Sequence, residues 1–237
     1  MELHPRINKN YVHHQKSSVA NVLKEVVFGI EDGMVSTLGS ITGIAIGSNN
    51  HSTVLLAGVV IISVESISMG IGSYISNLSH EEMNKRKIHE EKEELKNFPE
   101  EEKEELYQMY IKEGWSKDLA YKMSEEAAKN EKLILNEMIL HELKIPKDEE
   151  STSVKGGMFM FFAYIIGGMV PMASYLFLPI KEAVPLSVIV TLTGLFMLGM
   201  STTKFTKQSL VKSGLRMLIL GGIALVAGLL AGIFMGQ

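Results

Sequence analysis

The chain has 237 residues, 46% of them hydrophobic, with 23 basic and 27 acidic residues and a net charge of −4. It has no cysteine, which excludes disulfides, thiolate metal sites and cysteine nucleophiles. The charge is segregated: 21 of the 27 acids and 13 of the 23 bases fall between residues 80 and 150, so a charged middle separates apolar ends, the pattern of a membrane protein with an aqueous insert and without the basic footprint of a nucleic-acid binder.

Residues 1–23 read as a polar tail without an apolar h-region, so no cleavable signal peptide is expected. Five segments then have the length of membrane-spanning helices: 24–48, 53–79, 154–179, 183–203 and 211–235. Only helices satisfy their own backbone groups in lipid, so an all-α membrane fold is predicted. The second span runs into the charged insert, 80–150, and can continue as one long helix. The insert reads as three helices. The first covers "SHEEMNKRKIHEEKEELKN". The second begins at Pro99, a favoured first-turn position, and stops at Gly114. The third starts at Ser116, a plausible N-cap, and runs to Ile145, with Leu119, Met123, Ala127, Leu133, Met138 and Leu143 as its apolar stripe. The last part of the chain, 151–237, holds the other three spans.

Loop charge sets the orientation. Arg6, Lys9, Lys16 and Lys24 lie in the N-terminal tail up to the start of the first span, Lys85, Arg86 and Lys87 open the insert, and Lys204, Lys207, Lys212 and Arg216 lie around the loop that joins the last two spans. The opposite loops offer only Lys181. Five spans therefore place the N-terminus and the insert in the cytosol and the C-terminus outside.

Two groups of residues carry candidate chemistry. In the insert, Glu91 and Glu94, and Glu102 and Glu105, lie three apart on neighbouring helices, and Met138 and Glu142 lie four apart on the next. Such pairs share a helix face. Together they can aim carboxylates and a thioether at one divalent transition metal. The plain alternative is a solvated acidic face, and His89 and His141 read as surface residues. Paired Glu-x-x-His motifs of a di-iron enzyme are missing. In the membrane, Asp32 lies about eight residues, or ~12 Å, into the first span. Glu25 precedes it by seven residues on nearly the same face, whereas the adjacent Glu31 points away. In the second span Glu65 stands four before Met69, again on one face. Acids inside a membrane normally face a pathway or a partner. Gly29, Gly33, Gly39, Ser68, Gly70 and Gly72 permit close helix approach.

The stretches "GIEDGMVSTLGSITGIA", "ISMGIGSYIS" and "GGMVP", with an acidic insert after the second, resemble the vacuolar iron transporter family over about residues 20–236. The resemblance implies a homodimeric membrane exporter of cytosolic Fe²⁺, generally coupled to protons, with manganese as a further substrate, no enzymatic activity and no resident cofactor. It implies a cytosolic metal-binding domain on Glu91, Glu94, Glu102, Glu105, Met138 and Glu142, and a pathway through Asp32 and Met69. The family's plant and fungal glutamate eight residues before the motif methionine is Ile61 here, and Glu65 stands one turn later on that face. The rival expectation is a membrane metal sensor or adaptor whose insert binds a partner protein. The Lys- and Ile-rich composition suggests a prokaryotic cell membrane.

Overall fold

A computed structural model describes residues 19–145, 153–206 and 208–235. Arg6, Lys9, Lys16 and Lys207, and the tail up to residue 18, lie outside the described residues. Those residues form eight helices, α1 (Val19–Ser48), α2 (His51–Asn97), α3 (Pro99–Lys112), α4 (Lys117–Ala128), α5 (Glu131–His141), α6 (Ser153–Phe177), α7 (Ile180–Thr206) and α8 (Leu210–Met235). The chain is all-α among the described residues, and it divides into two compact units, Met1–Ile71 with Lys155–Gln237, and Gly72–Val154.

In the first unit, α2, α6, α7 and α8 are long and apolar enough to cross a membrane. α1 is longer than three of these, yet does not reach that apolarity. Lys24, Glu25, Glu31 and Asp32 and its many Gly, Ser and Thr residues hold it below. α1 and α2 join through a tight turn. Asn49 takes a left-handed φ of 44°, and the Asn50 side chain accepts from the Thr53 amide at 3.0 Å. An interior cluster holds Ile41, Val54, Ile62, Met172 and Tyr175 from α1, α2 and α6. The outward residues, such as Leu56, Val59, Ile189, Ile219 and Ile223, are exposed apolar side chains suited to lipid.

Helices in lipid gain little from hiding apolar surface from one another, so they associate through close fit. α1 achieves this with glycine. A Cβ on Gly39 would lie 2.8 Å from the Ala224 carbonyl oxygen, and one on Gly228 would collide with the Gly39 carbonyl. α8 therefore lies backbone to backbone against α1.

The second unit holds the C-terminal part of α2 with α3, α4 and α5. As the sequence suggested, the second span and the first insert helix are one unbroken helix. Pro99 starts α3, Gly114 ends it at φ +100°, and the Ser116 hydroxyl caps α4 by accepting from the Leu119 amide. The expected third helix, Ser116–Ile145, is instead two. Asn130 leaves the helical conformation, and its side chain accepts from the amides of Lys132 and Leu133 at 3.0 and 3.3 Å, so it caps a new helix, α5. The break resets the helical phase. Ala127 and Met138 are buried together with Leu95, Leu106, Tyr110 and Ile134, whereas Leu119 and Leu133 of the expected stripe are exposed.

Substitution should expose the glycine contact. Gly228→Leu is expected to lower thermal stability in detergent by the ~1–3 kcal/mol typical of overpacking, or more. Gly222→Leu, on the same helix but with open space around it, should leave the melting temperature within a degree or so of the parent. Equal melting curves would show that α1 and α8 are not in backbone contact.

Candidate metal centre and membrane acids

The insert brings three of its predicted acids to one point. Glu91 comes from α2, Glu102 from the first turn of α3 and Glu142 from the C-cap of α5. One carboxylate oxygen from each lies within 4.8 Å of the other two. Glu91 is 2% exposed and Glu102 7%. One oxygen of each, Glu91 Oε1 and Glu102 Oε2, is buried with no hydrogen-bond partner in the protein. A buried, unsatisfied carboxylate is costly. Glu94 and Glu105 stay exposed, but the charges of both reach Glu102 and Glu142. Met138 is fully buried in the insert core, one turn before Glu142.

The electrostatics follow from crowding. Burial, then the charges of Glu142 and Glu102, push the Glu91 carboxyl up to about 8. Burial and the Glu105 charge raise Glu102. Burial raises Glu142, helped by the charges of Glu105 and Glu94. The cluster therefore holds protons where ordinary carboxylates have lost them. A divalent cation supplies the same neutralisation with oxygen ligands that suit it, and it competes with protons for those oxygens.

In the membrane unit, Asp32 and Glu31 are half-buried on α1, and Met69 is half-buried on α2. Glu65 is exposed on α2, between the exposed apolar side chains Val64 and Ile67. The carboxylates of Asp32 and Glu65 lie within range of each other's charge, and both act on the Tyr164 hydroxyl of α6. Tyr164 is fully buried, and its hydroxyl lies 2.5 Å from the Ser36 hydroxyl, one turn beyond Asp32. Neither Tyr164 nor Ser36 stands out in the sequence. Spacing four residues after Asp32 was the available signal for Ser36; only the packing of α6 identifies Tyr164. From Ser36 the same α1 face continues through Ser40, Gly43 and Gly47, which line a groove of about 790 Å³ shared with α8. His141, read as a surface residue, instead turns inward at 18% side-chain exposure, whereas His89 is exposed.

The long apolar helices with their apolar outer faces define an integral membrane protein. The VIT family profile matches residues 23–233, and the chain belongs to that family, one of transporters rather than enzymes. It is similar to vacuolar iron transporter 1 of Tulipa gesneriana, at 30% identity over 91% of this chain and 88% of that one. It is 27% identical to the vacuolar iron transporter of Centaurea cyanus over 93% of this chain and 90% of that one. For the vacuolar iron transporter of Toxoplasma gondii the values are 29%, 94% and 78%. These relatives are eukaryotic, so they lend no support to the expected prokaryotic membrane.

The raised carboxylates fix a pH dependence. Their folded state favours the proton-bound form, so the stability they contribute is present in the ordinary carboxylate range and is lost as pH rises, for Glu91 through about 8. The metal-free protein should melt higher at pH 5 than at pH 8.5. Glu91→Gln should flatten that slope and raise the melting temperature at pH 8.5. A slope unchanged by Glu91→Gln would mean that Glu91 is not the buried proton holder.

Proposed function

We propose that this protein exports Fe²⁺ from the cytosol through the membrane in exchange for protons, with Mn²⁺ as a second substrate. The observation that carries the reading is the pair Asp32 and Glu65, two acids on different helices of the membrane unit within range of each other's charge. A carboxylate at bilayer depth costs roughly 2.5–3.5 kcal/mol by insertion scales. A role in coordinating a cation in transit explains why two are kept together; a sensor or adaptor would need neither. The names of the relatives support iron as the cargo.

In this mechanism the insert faces the cytosol and collects ions on Glu91, Glu102 and Glu142, with Glu94 and Glu105 at the rim and the Met138 thioether favouring a softer metal. Asp32 and Met69 then coordinate the ion within the membrane. Glu65 supports that coordination or carries the proton, in the place of the family glutamate that is Ile61 here. The ion continues along the α1 face past Ser36 and Ser40. α1 is the fifth span. It inserts despite its polar residues because α6 and α8 cover its glycine faces.

The functional unit is a homodimer. Glu65 of a single chain lies among exposed apolar side chains that suit lipid. A second copy against α1 and α2 removes that acid from lipid and closes the groove into a pathway.

Proteoliposomes test the reading. Asp32→Asn keeps the shape and removes the charge, so Fe²⁺ flux should fall to background while metal binding by the insert persists. Glu65→Gln should retain part of the flux and lose most of its dependence on the pH gradient. Fe²⁺ transport by Asp32→Asn at the parent rate would move the pathway elsewhere, and full proton dependence in Glu65→Gln would remove Glu65 from the coupling.

The lack of cysteine makes orientation directly measurable. In intact cells, a cysteine at Asn50 should react with an impermeant external reagent, and one at Ser116 should not. The reverse pattern would make the protein an importer.

A further inference from the structure

His141 lies where two helix ends meet. Its Nδ1 is 2.6 Å from Glu113 Oε1, at the C-cap of α3, and its Nε2 is 3.3 Å from Glu137 Oε2, one turn back on α5. The same Glu137 oxygen accepts from the Tyr110 hydroxyl at 3.0 Å. The Tyr110 and His141 rings meet edge to face, with centroids 5.3 Å apart. The four groups form one chain between α3 and α5.

We infer that Tyr110, Glu113, Glu137 and His141 form a positioning clamp that sets the last turn of α5 against the end of α3, and so aims Glu142 at the carboxylates of Glu91 and Glu102. The inference rests on the reading that those carboxylates take a metal ion.

Three observations carry it. The first is sequence spacing: Glu137 and His141 occupy one face of α5, and Met138 and Glu142 the adjacent one, so fixing the first pair fixes the second. Next, α5 has only 11 residues, a length that is not stable as an isolated helix. Glu142 is its C-cap, and Lys144 two residues on has a left-handed φ of 53°. The bonds that close this end, from the amides of Glu142 and Leu143 to the Met138 carbonyl and from the Ile145 amide to the Ile139 carbonyl, are local to α5 and its last turn, so they do not tie it to α3. Finally, Glu142 is the exposed member of three crowded like charges. Repulsion between ionised carboxylates drives the exposed one outward, and the clamp opposes that movement. The clamp is not itself a metal site. Its two carboxylates meet opposite nitrogens of the ring, so no single point lies among all its donors.

Groups that orient metal ligands typically contribute 10–100-fold to affinity. Co²⁺ is the probe, read by titration and by its visible absorption band in the full-length protein in detergent. His141→Ala should lower Co²⁺ affinity about tenfold and change the band, with helicity by circular dichroism retained. His141→Gln, which keeps one N–H donor, should recover part of both. Should His141→Ala lose helicity, Glu113→Ala decides, because Glu113 is 43% exposed; it should weaken affinity and alter the band in the same direction. Parent affinity and an unchanged band in the folded variants would overturn the clamp. Glu102→Ala separates loss of the metal site from loss of the clamp. If it removes the insert's Co²⁺ binding and its band while the clamp variants bind like the parent, the metal site stands and the clamp alone is lost. If it leaves binding unchanged, the site reading fails and takes the clamp with it.

Discussion

The membrane unit depends on the approach of α1 to two neighbours at backbone distance. Toward α8, Gly39, Gly43 and Gly47 meet Ala224, Gly228 and Gly232. Toward α6, a Cβ on Gly33 would strike the Tyr164 carbonyl, and one on Gly167 the Ile30 carbonyl. Lipid offers α1 little hydrophobic reward for joining the bundle. Many short contacts, each small alone, supply the attraction instead. Because α1 is also the long helix that lacks an apolar stretch of spanning length, these contacts are what would make it tenable in a membrane on the proposed reading. They pin residues 30 and 33, and Asp32 lies between them. Its place is set by backbone packing on both sides.

The same choice of small residues empties the neighbouring face. Ser36, Ser40, Gly43 and Gly47 line the α1–α8 groove because nothing larger fills it. A stripe of leucines would have sealed the groove and kept the helices apart. Close approach and open space are thus one consequence of one composition. A pathway along α1 then needs no hinge in that helix, which contains no proline.

Much of this was legible in the sequence, and what was not has identifiable causes. Helix existence came from apolar length and from caps whose chemistry is local: Pro99, Gly114 and Ser116 each act within a few residues. Glu91, Glu102 and Glu142 could be chosen because helical spacing restricts which carboxylates share a face. The break at Asn130 was missed. The residues around it are good helix formers, and a single capping side chain outweighed them once the α4 and α5 faces had to pack on α3. His141 and Tyr164 were missed for a different reason. Their partners lie 28 and 128 residues away, so their roles exist only after the helices meet. The long-range residues are therefore the positioning ones, while the candidate ligands are readable from short spacing.

The acids of both units present one physical problem. Taken out of water, a carboxylate needs a proton, a donor or a cation. The structure gives Glu91 Oε1 and Glu102 Oε2 no donor, which leaves the first and the last. Proton and metal then exclude each other at the same oxygens, and the exchange ratio is set by how many carboxylates one cation must satisfy. On the proposed reading, the insert cluster loses protons as a divalent ion enters and regains them as it leaves. Coupling of metal to proton at that cluster thus requires no moving part. On the same reading, the side of the membrane from which the proton comes is decided at Asp32 and Glu65, which stand on separate helices.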